Sequence, residues 1–336
     1  MEIRRIQKTG TSTMTVSLPK SWVDSNAIKA GDPVEVRIIP DGTIVIDPRV
    51  KQERVESRKT IWVEEDETKE HLTRKLIGAY LAGYSIVEVR GKERLSLEIK
   101  RAVKEISRMV IGPEVIEETS NTVVLHDLSD PIELPQEKCV RRMHLIVGSM
   151  HKDAIIALAE MDEALADDVI DRDADVDRLY WMAVKQHNLI MSNRKLSERI
   201  GVDIFGSTAL MLAARAVERI GDHAEKIANN VTLAVQNKTK LGKTADIGEL
   251  SARSLAALDR AMEAFFKKDI RAANVLIDDA QVLAQDCQNR MNDLRAPGNA
   301  AAVTLASVLD SIARTTMYAM DIAEVAINAA MREDSA

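Results

Sequence analysis

The sequence predicts a multidomain α+β protein, and three observations carry that reading. The first 50 positions alternate apolar and polar residues between turns, strands and helices alternate up to position 136, and helical periodicity with an internal repeat follows. At 336 residues the chain can hold two or three domains and bury a sizeable core. Its composition is 46% hydrophobic but only 3% aromatic, so Ala, Leu, Ile and Val carry the burial, as in helix bundles. A formal net charge of -7 excludes adhesion to nucleic acid or anionic membranes through bulk charge, and any DNA contact must come from a local patch. Cys139 and Cys287 have no metal-ligand spacing, which fits a reduced, cytosolic protein. No run reaches the roughly 18 apolar residues of a membrane span.

Within residues 1–50, Ile3, Met14, Val16 and Leu18 are expected in two short strands flanking the TGTST bend. PKSWVDSNAI then makes a helical turn, and VEVRIIPDGTIVI a hairpin closed on Asp41-Gly42. Four strands this short cannot bury a core alone, so a second copy of the chain is the economical remedy. Arg4, Arg5, Lys8 and Lys20 lie on the first strands and just after them, opposed within residues 1–23 by Glu2. A twofold axis would double this patch. Adjacent guanidiniums can grip phosphate or guanine in bidentate fashion, and the scarcity of aromatics favours duplex DNA over stacked single strands. The run G-x-x-x-x-x-V-S-L-P-K from Gly10 to Lys20, the Gly31-Asp32 turn and the Asp41-Gly42 hairpin resemble the SpoVT/AbrB family of swapped-hairpin dimers. That resemblance implies a two-chain β-barrel that docks on duplex DNA.

Residues 51–58 read as a charged linker without periodicity. Over 59–136, KTIWVEE, SIVEVRG, PEVIEE and TVVLHD read as strands, with amphipathic helices at about 67–83 and 95–111, a β-α-β-α-β-β unit. Its charged residues are solvated faces, and no chemistry is recognisable in it.

Residues 137–336 are helical, with breaks near 191–203, 236–247 and 295–299. A shift of 107 positions lays Asp162, Ala166 and Ile170 on Asp269, Ala273 and Ile277, and a shift of 95 lays Ala224 and Ile227 on Ala319 and Ile322. Two tandem three-helix units follow, residues 137–240 and 246–332. In VIDRDADVDRLYW, Asp173 falls in the middle of the apolar stripe and Asp177 on its margin, whereas Asp171 and Asp175 point away. A charge on a buried stripe is costly unless paired or metal-bound. In VERIGDHAEKIANNV, Glu218, Asp222 and Glu225 stack at i, i+4 and i+7, and Gly221 hints at a close approach beside them. Two such pairs on the inward sides of neighbouring helices predict an oxygen-only cation site of Asp173, Asp177, Glu218 and Asp222, suited to Mg²⁺, Mn²⁺ or iron.

The V-I-x-x-D-x-x-x-D and E-R-I-x-D-H-A-x-x-I-A helices of this tandem repeat resemble the PhoU family. The resemblance implies a metal cluster per repeat and regulation of phosphate uptake. Ala280, Ala284, Ala313 and Met317 stand at the four ligand positions of the second repeat, so a divalent metal or iron cluster is expected in the first repeat alone. Together the two resemblances match archaeal PhoU-type regulators with this N-terminal fusion, and predict a homodimeric or larger transcriptional regulator. The rival is an adaptor that restrains a phosphate transporter or sensor kinase without binding DNA. A di-metal enzyme would need inward Glu-x-x-His pairs, which the helical half lacks, and no nucleophile or phosphate-cradling loop is evident. An antitoxin shares the N-terminal barrel but fits poorly with two further ordered domains.

Overall fold

Residues 3–38, 42–48, 57–242, 244–294 and 299–333 are described by the computed structural model, which divides into two units, Met1–Glu56 and Ser57–Ala336. In the first, β1 (Gln7–Thr9) turns back on β2 (Thr13–Thr15) with Lys8 opposite Met14, and Gly10 takes the left-handed φ of 70° in the connection. These strands are shorter than the apolar alternation suggested: Ile3, Val16 and Leu18 lie outside them. Pro19, which has no N–H to give a ladder, instead leads into α1 (Lys20–Ser25). A second hairpin pairs β3 (Glu35–Ile38) with β4 (Ile44–Asp47), Val36 opposite Ile46. Gly42 occupies its connection at φ 84°, while Asp41 lies outside the described residues. The described residues form two separate two-stranded ladders within one chain, and a closed barrel is not seen. None of them is buried in this unit, and Ile6, Met14, Ile38 and Ile44 are 63 to 77% exposed.

The second unit begins with the expected β-α-β-α-β-β order: β5 (Arg58–Val63), α2 (Lys69–Leu81), β6 (Ile86–Gly91), α3 (Leu97–Met109), β7 (Pro113–Glu118) and β8 (Thr122–Asp127). Thr68 and Ser96 start the two helices, each side-chain oxygen accepting the N–H three residues on. The sheet order is β5-β6-β8-β7, parallel between β5 and β6 and antiparallel elsewhere. Leu72, Leu76, Val89, Val103, Ile106 and Leu125 form its core beneath α2 and α3.

The helical half comprises α4 (Gln136–Glu160), α5 (Glu163–Ser192), α6 (Arg194–Ile200), α7 (Ile204–Gln236), α8 (Ala245–Lys267), α9 (Ile270–Asp293) and α10 (Ala300–Glu333). Two breaks beyond the three expected separate α4 from α5 and α8 from α9. Each is a single residue in the left-handed region, Met161 and Lys268, both at φ 55°, followed by an aspartate cap. Asp162 accepts the N–H of Leu165 and Asp269 that of Ala272, at 3.0 and 2.9 Å. The turns are 107 positions apart, so the repeat extends to backbone conformation. α7 packs on α4 and α5, α10 on α8 and α9, and the two central helices pack on each other over one continuous apolar core. His223 and Tyr318, equivalent under the 95-residue shift, meet at that seam with ring centroids 5.9 Å apart. Among the described residues no single helix is long and apolar enough to cross a membrane. Cys139 and Cys287 are buried free thiols, which burial pushes up to about 12 and about 11.

The C-terminal half of α5 is buried on two sides, by the bundle and by the α/β module. Lys185, 2% exposed, is ion-paired with Asp127 at the end of β8, donates to Ser129 Oγ at 2.8 Å, and lies 4.6 Å from the Tyr80 ring centroid. Asn188 donates to the Leu81 carbonyl at 2.9 Å, Gln186 to that of Leu134, and Trp181 packs against the module's core. Gly83, at φ 79°, has no room for a Cβ, which would stand 2.5 Å from Leu189 Cδ2. These contacts fix α5 to the module.

Candidate cation site and nucleic-acid face

The acids of α5 and α7 face one another where the helices pack. Asp173 and Asp177 are half-buried, Asp171 and Asp175 exposed, as the helical wheel requires. Gly221 makes the approach: a Cβ there would lie 3.3 Å from Asp173 Oδ1 and 3.4 Å from both Val147 and Val176. Glu218 is 8% exposed. Burial, then Asp177, Glu225, Asp222 and Glu218 push Asp173 up to about 7. Glu218 rises to about 7 through burial and Asp222, against the pull of Arg215 and Arg219. Asp177 is raised by burial, Asp222 and Glu225. The structure thus brings all four predicted acids into one electrostatic cluster and adds Glu225.

The cluster is not organised around a point. Among the described residues no three Asp, Glu, His or Cys side chains converge as a metal ion would need. Arg215 Nη1 is 3.2 Å from Glu218 Oε1 and 3.3 Å from Tyr180 Oη, and Arg219 Nη1 is 2.9 Å from Asp222 Oδ2. Both are i,i+3 pairs along α7 that the sequence contained and that the reading of a purely acidic stripe passed over. Glu218 Oε2 is buried and without a hydrogen-bond partner, with Arg219 Nε 3.7 Å away. Five carboxylates, one with an orphaned oxygen, offer the oxygen ligands that a hard or borderline divalent cation takes.

In the N-terminal unit the predicted cations are all exposed. Lys8 is in β1 and Lys20 is the first residue of α1, but Arg4 and Arg5 precede β1 instead of lying within it.

Residues 140–231, which hold all four predicted acids, match the PhoU domain family. Over that stretch the chain is similar to PhoU domains. Residues 7–54 match a second family, antidote-toxin recognition MazE, bacterial antitoxin. The structure of PhoU from Pseudomonas aeruginosa is similar over 59% of this chain and 96% of its own, at 18% identity and a TM-score of 0.53, and so shares the fold. The phosphate transport system regulatory protein PhoU from Streptococcus pneumoniae aligns over 57% of this chain and 91% of its own, at 20% identity and a TM-score of 0.44. No curated protein matches the chain.

Among the described residues the second repeat of the PhoU-like half has no counterpart of the acidic cluster. Ala280 is buried, Ala284 and Ala313 are half-buried and Met317 is exposed at the corresponding positions. His223 turns from the acids toward α10, with Nδ1 3.3 Å from Ser311 Oγ.

Proposed function

We propose that this chain is a DNA-binding transcriptional regulator of phosphate uptake, with the PhoU domain as a cation-dependent sensor. The observation that carries the reading is that one chain matches both the PhoU domain family and the MazE family. Exposed Arg4, Arg5, Lys8 and Lys20 support a phosphate-backbone contact, and the coreless N-terminal unit supports a homodimer in which two copies interlace and bury Ile6, Met14, Ile38 and Ile44. Asp173, Asp177, Glu218 and Asp222 would hold the cation, with Glu225 beside them. A divalent metal or iron there supplies positive charge to crowded carboxylates and a means for a phosphate anion to bind among acids that would otherwise repel it.

A second reading draws on the description of the MazE family, which names recognition of a protein. On it the N-terminal unit dimerises and grips a protein partner, and the chain is an adaptor acting on a phosphate transporter or kinase. Genomic DNA affinity sequencing with full-length protein and with Arg4→Ala/Arg5→Ala, each with and without phosphate and Mn²⁺, separates the two. Discrete sites near phosphate-transport genes, lost in the variant, are expected. In a dimer the double substitution removes four cations and flattens the slope of log affinity against log salt by roughly 3 to 4. No enrichment under any condition would overturn the DNA reading in favour of the adaptor.

A further inference from the structure

The acidic cluster has the donors for a cation but not the convergence, and two arginines of α7 are paired with it. Arg215 holds Glu218 and Arg219 holds Asp222, each along its own helix. We infer that Arg215 and Arg219 are the resident counter-ions of the cluster, and that a divalent cation loads by displacing their guanidiniums. The inference rests on the cation reading of Asp173, Asp177, Glu218 and Asp222 and adds how that site is filled.

Three features support an exchange over simple addition. First, Arg215 and Arg219 each hold a carboxylate of α7, and Gly221 of the same helix lets Asp173 of α5 approach closely. Second, the mobile and immobile partners are distinct: the Arg215 and Arg219 side chains are 43 and 42% exposed and can swing into water, whereas that of Glu218 is 11% exposed and held in the helix interface. Third, Glu218 Oε2 is left without a hydrogen bond although Arg219 stands nearby, so the guanidiniums satisfy the cluster incompletely. A compact cation can reach several oxygens at once, whereas a planar fork on a neighbouring turn reaches one carboxylate well.

The exchange has a reach beyond the site. Arg215 donates to Tyr180 Oη and stands 5.4 Å from that ring's centroid, and Tyr180 packs on Trp181, ring centroids 5.5 Å apart, which in turn meets the core of the α/β module. Release of Arg215 therefore frees Tyr180, the neighbour of the Trp181 that packs on the module.

The test is equilibrium dialysis of metal-stripped full-length protein against Mn²⁺. Arg215→Gln and Arg219→Gln are each expected to bind Mn²⁺ about two- to fivefold tighter than the parent, as befits loss of one half-exposed competing ion pair, and the double variant about tenfold tighter. Arg219→Lys, which keeps the charge, should stay near the parent and controls for disturbance of the helix. Circular dichroism establishes that each variant is folded, and the single variants carry the test if the double is not. Equal or weaker Mn²⁺ binding in folded Gln variants would overturn the exchange while leaving the cation site standing. Absence of saturable Mn²⁺ binding in parent and variants alike would overturn the cation reading, and the exchange with it.

Discussion

Asp173→Asn keeps the side chain's shape against Gly221 and removes its capacity to ionise. In the fold, burial followed by Asp177, Glu225, Asp222 and Glu218 carries this carboxyl from 3.8 to about 7. The unfolded chain releases the proton near the ordinary value, so between about pH 4 and pH 7 the folded state binds more protons and stability falls as pH rises. The full ionisation penalty above pH 7 is up to about 4 kcal/mol. Water and the neighbouring arginines screen a half-buried group, which leaves an expected gain of about 1–2 kcal/mol for the variant. For a unit of this size that is a rise in Tm of roughly 2–6 °C. Calorimetry of metal-stripped protein should show the variant melting above the parent at pH 8, with the difference closing at pH 5. Added Mn²⁺ should raise the parent's Tm and leave the variant's unchanged. A variant that melts below its parent by the same margin at both pH values would refute the account of Asp173 as a destabilising charge.

Lys185→Met leaves Asp127 buried without its cation and should cost about 3–5 kcal/mol in urea unfolding, most of it recovered when Asp127→Asn is added; an unchanged midpoint would mean that the pair does not hold α5 to the module. His151→Leu tests the opposite sign of linkage. Burial and then His223 lower His151 to about 4, and its Nε2 has no partner, so the fold loses stability as pH falls from about 6.5 toward 4 while the unfolded chain takes up the proton. The drop in Tm between pH 7 and pH 5 should be smaller in the Leu variant than in the parent, and an identical drop would exclude His151 as its source.

Much of the architecture was legible because period and punctuation agree. Strands of the α/β module carry β-branched runs, and Thr68 and Ser96 sit where helices must begin. The acidic cluster was legible for a related reason: Asp173 and Asp177 interrupt an apolar stripe, and such an interruption needs a partner. The breaks after Glu160 and Lys267 were missed because neither left-handed residue is glycine, and the sequence marks them only by the aspartate that follows. Arg215 and Arg219 were in plain view at i,i+3 spacing, yet a wheel sorted by acids alone does not weigh them. The Lys185 clasp was the least accessible. Its partner Asp127 is 58 positions away, and a lysine in a helix is ordinarily a solvent-facing residue.

That clasp also says where the molecule can be cut. A fragment beginning at Gln136 would retain the seven helices but inherit a lysine without Asp127, a Gln186 amide without the Leu134 carbonyl and an Asn188 amide without that of Leu81, all on a face emptied of Trp181's neighbours. The family match that begins at residue 140 thus does not mark the edge of an autonomous unit. The smallest helical fragment able to stand alone starts near Ser57, and the α/β module travels with the bundle as part of its folding unit.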